Sequence, residues 1–223
     1  MKNLTLIIPA KHEADSLPKV INEINNLNCK ILVVLEKTDI ETINSIKNFD
    51  IKVIHQTGKG YGNAIIEGIK NTNTEYMCIF NADGSFDPKY LNEMLINCKR
   101  GYDLVFASRY MKNAGSDDDT FLTAVGNFIF TLVGNILFSL NLSDILFTFI
   151  LGKTEVFKDL NLESNRFTLC VEIPIKARKK KINYIDIPSY ERKRIAGYKK
   201  VNEFRDGFEI LFYMLKTFFK IIK

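Results

Sequence analysis

Along the first half of the chain the hydrophobic pattern switches between two forms. The runs "LTLIIPA" (4–10), "KILVVLE" (30–36), "IKVIHQ" (51–56), "YMCIFNA" (76–82) and "DLVFAS" (103–108) are short, apolar or β-branched, and close on polar residues; they predict five buried strands. Between them, segments 16–27, 39–48, 61–72 and 88–99 space their apolar residues as helices do, the first with Ser16 placed as an N-cap and Pro18 in its first turn. Strands and helices taking turns predict an α/β domain whose mostly parallel sheet is covered on both faces. Ligands of such sheets bind beyond the carboxyl ends of the strands, and "NADGS" (81–85) puts Asp83 there.

The second half reads differently. Residues 120–143 carry no charge over 24 positions, long enough to cross a bilayer. Thr123, Asn127, Thr131, Asn135 and Ser139 nevertheless recur every four residues, opposite Phe128, Ile129, Leu132, Ile136 and Leu137. That polar stripe fits a helix lying in a membrane interface or packed on the sheet better than a lone span. The C-terminal "EFRDGFEILFYMLKTFFKIIK" places Phe208, Leu211, Phe212, Leu215, Phe218 and Phe219 at helical spacing with Lys216, Lys220 and Lys223 among them. It reads as a basic amphipathic helix for an anionic membrane surface, or as a closing helix against the sheet. No repeat or linker splits the chain, and the one boundary falls near residue 112, where "KNAGSDDD" interrupts the sheet pattern.

Composition narrows the partners. With 223 residues and 46% hydrophobic content the chain builds one sizeable core. Cys29, Cys78, Cys98 and Cys170 stand singly without metal-type spacing, and no signal peptide is read at the N-terminus, so a reducing compartment is expected. Residues 176–223 hold 14 Lys and Arg against 5 Asp and Glu within an overall net charge of +5. Such a basic segment suits a phosphate-rich partner. Nucleic acid is set aside, because no recognised module accompanies the charge.

Two stretches offer chemistry. Asp83, Gly84 and Ser85 present hard oxygen donors on a tight turn, suited to Mg²⁺ or Mn²⁺ whose shell substrate phosphates complete; the same residues are also common turn formers. "GKGYGNAIIEG" (58–68) brings three glycines to a helix start, where backbone N–H groups receive phosphate. These glycines follow the third strand, not the first, which argues against a dinucleotide-dependent hydride transfer. His12 and His55 have no obvious carboxylate partner and read as structural or loop residues.

"LIIPAKHEADSL", "GKGYGNAIIEG", "FNADGSFDP", "DLVFASRY", "SDI" at 143–145, the block "TLCVEIPIKARKKKINYIDIPSYERKR" and "RDGFEIL" together resemble, in order, family 2 glycosyltransferases with the GT-A fold, in particular the polyprenyl-phosphate members like dolichol-phosphate mannosyltransferases. The resemblance spans almost the whole chain. It implies an inverting, metal-dependent enzyme that takes a sugar from a UDP- or GDP-linked donor and gives it to a lipid phosphate. Residues 1–112 would be the nucleotide-sugar half, and residues 113–223 the acceptor half, with an apolar helix over 120–142. The enzyme would sit peripherally on the cytoplasmic face of a membrane. Pro9, Ala10, Glu13 and Glu36 would line the nucleotide pocket with Gly60 and Asn63 of the glycine loop, and Asn81 and Ala82 would lie beside them. Asp83 would bind the metal, with Ser85 as a second oxygen ligand. Arg109 and Asp144 would shape the sugar and acceptor side, Glu172 would stand near the acceptor, and Arg192, Arg194 and Lys200 would face phosphate.

The chain departs from this pattern where relatives carry "Asp-Asp-Gly-Ser" after the second strand: it has "LEKT" (35–38), with Glu36 as the substitute. Asn81 replaces the first aspartate of the metal motif, and Phe149–Ile150 stands for a Phe-Arg pair. A phosphate acceptor is already anionic at neutral pH and needs no strong base, whereas a hydroxyl acceptor would require Glu172 or Asp144 to act as one. Two alternatives therefore stay open: the same donor with a hydroxyl acceptor, and a non-catalytic nucleotide-binding relative. No tryptophan is present, so the Gln-X-X-Arg-Trp signature of processive polysaccharide synthases is missing.

Overall fold

A computed structural model describes residues 1–197 and 202–221. The chain runs β1 (Leu4–Ala10), α1 (Leu17–Ile24), β2 (Lys30–Leu35), α2 (Ile40–Ile46), β3 (Lys52–His55), α3 (Tyr61–Lys70), β4 (Tyr76–Ile79), α4 (Tyr90–Lys99) and β5 (Leu104–Ser108), as the alternating pattern predicts to within a few residues. It continues through β6 (Gly115–Ser116), α5 (Phe121–Phe138), β7 (Ile150–Lys153), α6 (Thr154–Asp159), α7 (Leu169–Lys179), β8 (Tyr184–Pro188), β9 (Tyr190–Glu191) and α8 (Glu203–Ile221). Ser16 sits at the N-cap position of α1, but its hydroxyl makes no capping bond. It donates instead to the Glu13 carboxylate at 2.5 Å.

Seven strands form one sheet in the order β3-β2-β1-β4-β7-β5-β8. All its neighbours pair in parallel except β7, which runs antiparallel between β4 and β5. Side chains alternate across the sheet as strand geometry requires. Leu6 and Ile8 of β1 join the core under α1 and α4, while Ile7 joins the core under α3 and α7. A second, two-stranded ribbon pairs β6 with β9. The sheet thus draws strands from both sides of residue 112.

Helix α5 is built inside out. Its polar stripe faces the protein: Asn127 donates to the Tyr110 hydroxyl at 2.7 Å, Thr131 accepts the Ile145 N–H, and Asn135 exchanges two bonds with the Leu142 backbone. Its outer face is apolar, with Phe128 65% and Ile136 70% exposed. Helix α8 lies alongside in the same direction, Phe130 close to Gly207 and Phe138 against Phe218. It buries Ile210 and Met214 but leaves Phe204, Phe208, Phe212 and Phe219 in the open. Two adjacent helices therefore present one aromatic and aliphatic surface to solvent, far beyond the scattered apolar residues usual on a monomer.

Candidate active site

The strands' carboxyl ends open into a cavity of about 820 Å³. Each parallel strand from β1 to β5 contributes residues at or just past its end: Pro9 to Glu13 from the end of β1 onward, Glu36 after β2, Gln56 after β3, Asn81 to Asp83 after β4 and Arg109 after β5. The opposite wall is Leu122, Gly126 and Phe130 from the start of α5 and Phe204, Gly207 and Ile210 from the start of α8. The strand-built side is thus polar, while the helix-built side is mixed: the exposed Leu122 and Phe204 line it together with Glu203, Arg205 and Asp206.

At the polar end, Asp83 is both a turn residue and a pocket residue. Its Oδ1 accepts the Ser85 N–H at 3.0 Å, fixing a turn in which Gly84 has φ +82°. That positive φ is what calls for glycine; a β-carbon there would otherwise meet only the end of the Ile195 side chain, which can move aside. Asp83 Oδ2 lies 3.4 Å from Arg194 Nη1. Asn81 lines the cavity and donates through Nδ2 to Ser85 Oγ at 3.2 Å. Ser85 itself is buried and does not line the cavity, which corrects its expected place as a metal ligand: its hydroxyl supports Asn81 instead. Among the described residues no group of three or more His, Cys, Asp or Glu makes a metal cage. One pocket carboxylate is nonetheless a donor set that suits Mg²⁺ or Mn²⁺, since such ions take most of their ligands from water and substrate phosphate.

Glu13 and Glu36 line the cavity, Glu36 paired with Lys11 at 3.1 Å. Gly60 lines it too, with φ +103°. Asn63 does not: its Oδ1 accepts the Gly58 N–H and its Nδ2 donates to Asn165, so it braces the loop from behind. The glycines serve close packing against another part of the chain. A β-carbon at Gly60 would lie 2.3 Å from Asn165 O, and one at Gly62 would lie 2.0 Å from Ser164 O. Gly62→Ala, a change that favours a free helix, is expected here to destabilise by about 1–3 kcal/mol through backbone overpacking. A thermal melt reads the sign directly.

Three further site expectations are corrected. Glu172 is buried and outside the cavity; its carboxylate accepts the Glu163 and Ser164 N–H groups at 2.9 and 2.8 Å and pairs with Lys176 at 2.7 Å. It holds the loop that packs on Gly60 and Gly62, and so positions the site without touching it. Asp144 is likewise buried, both oxygens taken by Arg109 Nε and Nη2 at 2.7 and 3.1 Å. Arg192 does not line this cavity: it grips Glu23 through both terminal nitrogens and donates to the carbonyls of Gly84 and Phe86. Arg194 does line the cavity, held by Asp118 at 2.7 Å. Lys200 lies outside the described residues, as does Lys223.

Arg109 is the hub. Besides Asp144 it meets Glu191 at 3.2 Å and Asp119 at 3.4 Å, and its guanidinium stacks over the Phe147 ring. Burial works against its charge, but the carboxylates, Asp144 first, outweigh that and hold its pKa above the ordinary arginine value. Burial pushes the Glu191 carboxyl up, with Arg109 and Ser116 pulling the other way. Asp118, Asp119 and Glu191 went unassigned in the sequence, where "SDDD" reads only as a boundary. The β6/β9 ribbon is what carries them to the cavity.

Comparison with known proteins adds the following. Residues 5–160 match the model for "Glycosyl transferase family 2". A dolichol-phosphate mannosyltransferase of Pyrococcus furiosus is 24% identical over 231 residues, covering 99% of this chain and 64% of the relative, so the chain spans less than two thirds of that protein. A dolichyl-phosphate hexose transferase of Haloferax volcanii is 22% identical over 207 residues, 92% of this chain and 89% of the relative. Among solved structures, glucosyl-3-phosphoglycerate synthase of Mycobacterium tuberculosis in complex with Mn²⁺, UDP-glucose and phosphoglyceric acid superposes with a TM-score of 0.75 at 13% identity, over 96% of this chain and 79% of that one. The architecture is the GT-A fold.

Proposed function

Since the chain belongs to glycosyl transferase family 2, we propose that it transfers a sugar from a nucleoside-diphosphate donor to a lipid phosphate at a membrane surface. The observation that carries the acceptor is the cavity's two sides. The strand-built side suits a nucleotide sugar, and the opposite side includes Leu122 and Phe204, exposed cavity-lining residues at the starts of α5 and α8, two helices whose outward faces are apolar. A lipid phosphate matches that junction, headgroup inward and chain toward the bilayer. The mannosyl- and hexosyltransferase relatives named for dolichol phosphates point the same way, whereas the phosphoglycerate bound by the structural neighbour is a small soluble acceptor.

In this reading Asp83 holds a divalent ion, which when bound would neutralise charge on the departing diphosphate. Glu36, Asn81 and Gly60 border the nucleotide, and Arg109 borders the sugar side with its guanidinium held by three carboxylates. Asp144 and Glu172, the bases expected for a hydroxyl acceptor, are sequestered by Arg109 and by backbone N–H groups with Lys176, so a hydroxyl would have to be deprotonated by another cavity carboxylate such as Asp119 or Glu191, both already held by Arg109. An acceptor oxygen that arrives ionised, as a phosphate monoester does, needs none of them. The test is a transfer assay with UDP- and GDP-sugars and Mn²⁺, offering polyprenyl phosphate in parallel with glycan and glycolipid hydroxyls. Transfer to hydroxyls alone would overturn the acceptor, and no turnover of any donor would overturn catalysis.

Helix α5 passes the length and apolarity test for a span. Its buried polar stripe, however, is already spent on Tyr110, Leu142 and Ile145, so a lateral seat in the interface is the fitting arrangement. Replacing Phe128, Ile136, Phe208 and Phe212 together by Ser is expected to weaken binding to vesicles containing anionic lipid more than about tenfold, given ~1.5–3 kcal/mol for each buried large apolar side chain. Co-sedimentation reads it. Unchanged sedimentation would remove the membrane from the proposal.

A further inference from the structure

Among the described residues, the cation paired with Asp83 is Arg194. Arg194 reaches Asp83 Oδ2 through Nη1 at 3.4 Å while Nε and Nη2 clasp Asp118 at 3.2 and 2.7 Å. Asp83 Oδ1 accepts the Ser85 N–H, so Oδ2 is the less engaged oxygen, and it is the one that Arg194 faces. Arg194 is not a loosely placed surface residue. The segment bearing it is strapped over the Asp83 turn by Arg192 N–H to Ser85 O and Ile195 N–H to Asp83 O, both 2.8 Å, with the Ile195 side chain seated against Gly84.

A guanidinium and a dication cannot share one carboxylate oxygen without strong repulsion. A diphosphate changes the balance, because its oxygens match the guanidinium fork and are themselves ligands for the ion. We infer that Arg194 is the resting counter-cation of Asp83, which keeps a bare divalent ion off the carboxylate and releases it when a diphosphate gives the guanidinium another partner. The release half rests on the nucleoside-diphosphate donor proposed above; the exclusion half does not. The site would consequently load its metal with the nucleotide and not ahead of it. Arg194 acts here as a positioning residue that sets the order of binding.

The experiment measures Mn²⁺ binding to the full chain without nucleotide, from the electron paramagnetic resonance signal of the free ion, for wild type, Arg194→Gln and Arg194→Gln with Asp83→Asn. Arg194→Gln is expected to bind Mn²⁺ about tenfold more tightly than wild type, the change that ~1.4 kcal/mol of relieved competition gives, and the added Asp83→Asn to remove the gain. Equal or weaker binding by Arg194→Gln, or a gain that survives Asp83→Asn, overturns the exclusion. Adding UDP or GDP is then expected to tighten Mn²⁺ binding in wild type more than in Arg194→Gln. If neither diphosphate alters either affinity, the donor assignment and the release both fall, while the measurement with Mn²⁺ alone still decides whether Arg194 guards Asp83.

Discussion

Asp83→Asn is expected to lower sugar transfer by about 10²–10³-fold or more, the range found when a group stabilising transition-state charge is removed. The fold should be untouched. Among the described residues the Asp83 side chain makes no packing contribution to either core and bonds only Ser85 N–H and Arg194, and an asparagine retains the carbonyl oxygen that closes the turn. An unchanged melting temperature with lost turnover is therefore the expected pair of measurements, and excess chelator should reproduce the loss in wild type. Full activity in the variant, or in chelator, would show that departure of the diphosphate does not depend on an ion at this carboxylate.

The largest effect on stability is expected from Arg109→Ala. The substitution leaves the Asp144 carboxylate, which has no solvent-exposed side-chain surface, without the guanidinium that satisfies both its oxygens, and leaves Glu191 and Asp119 facing one another with less compensation. Removing one partner of a buried ion pair costs about 3–5 kcal/mol, which for a domain of this size lowers the melting temperature by roughly 10–15 °C. Adding Asp144→Asn to Arg109→Ala should restore part of the loss, because the stranded charge goes with it. Simple loss of packing against Phe147 would not be repaired that way, so the double variant separates the two causes.

How much of this was legible beforehand follows from how local each signal is. The five parallel strands, the helices between them and the carboxyl-end placement of Asp83 rest on periodicity within a few residues, and the sequence carries them openly. The polar stripe of α5 was legible too, though not that it would turn inward and leave the apolar side out. The assignments that failed depend on partners far along the chain. Arg192 pairs with Glu23, 169 positions away, and Asp144 with Arg109, 35 away. Nothing near either residue announces that its charge is already taken. Ser85 failed at shorter range: a hydroxyl beside a metal carboxylate looks like a ligand until burial turns it toward Asn81. Strand β7 escaped notice because four residues within a longer apolar run, "FTFILGK", show no period of their own.

That same strand has a bearing on how the molecule comes into being. Emerging from the ribosome, the first 112 residues contain β1 to β4 as a contiguous parallel block, yet β5 finds no neighbour among them, since β7 stands between it and β4. The sheet can only be closed once residues 150–153 have been made, by threading a late segment between two early ones. A polypeptide cut at the "KNAGSDDD" boundary would accordingly be a fragment with an orphaned strand, prone to stick to its own kind, and not a free-standing nucleotide-binding unit.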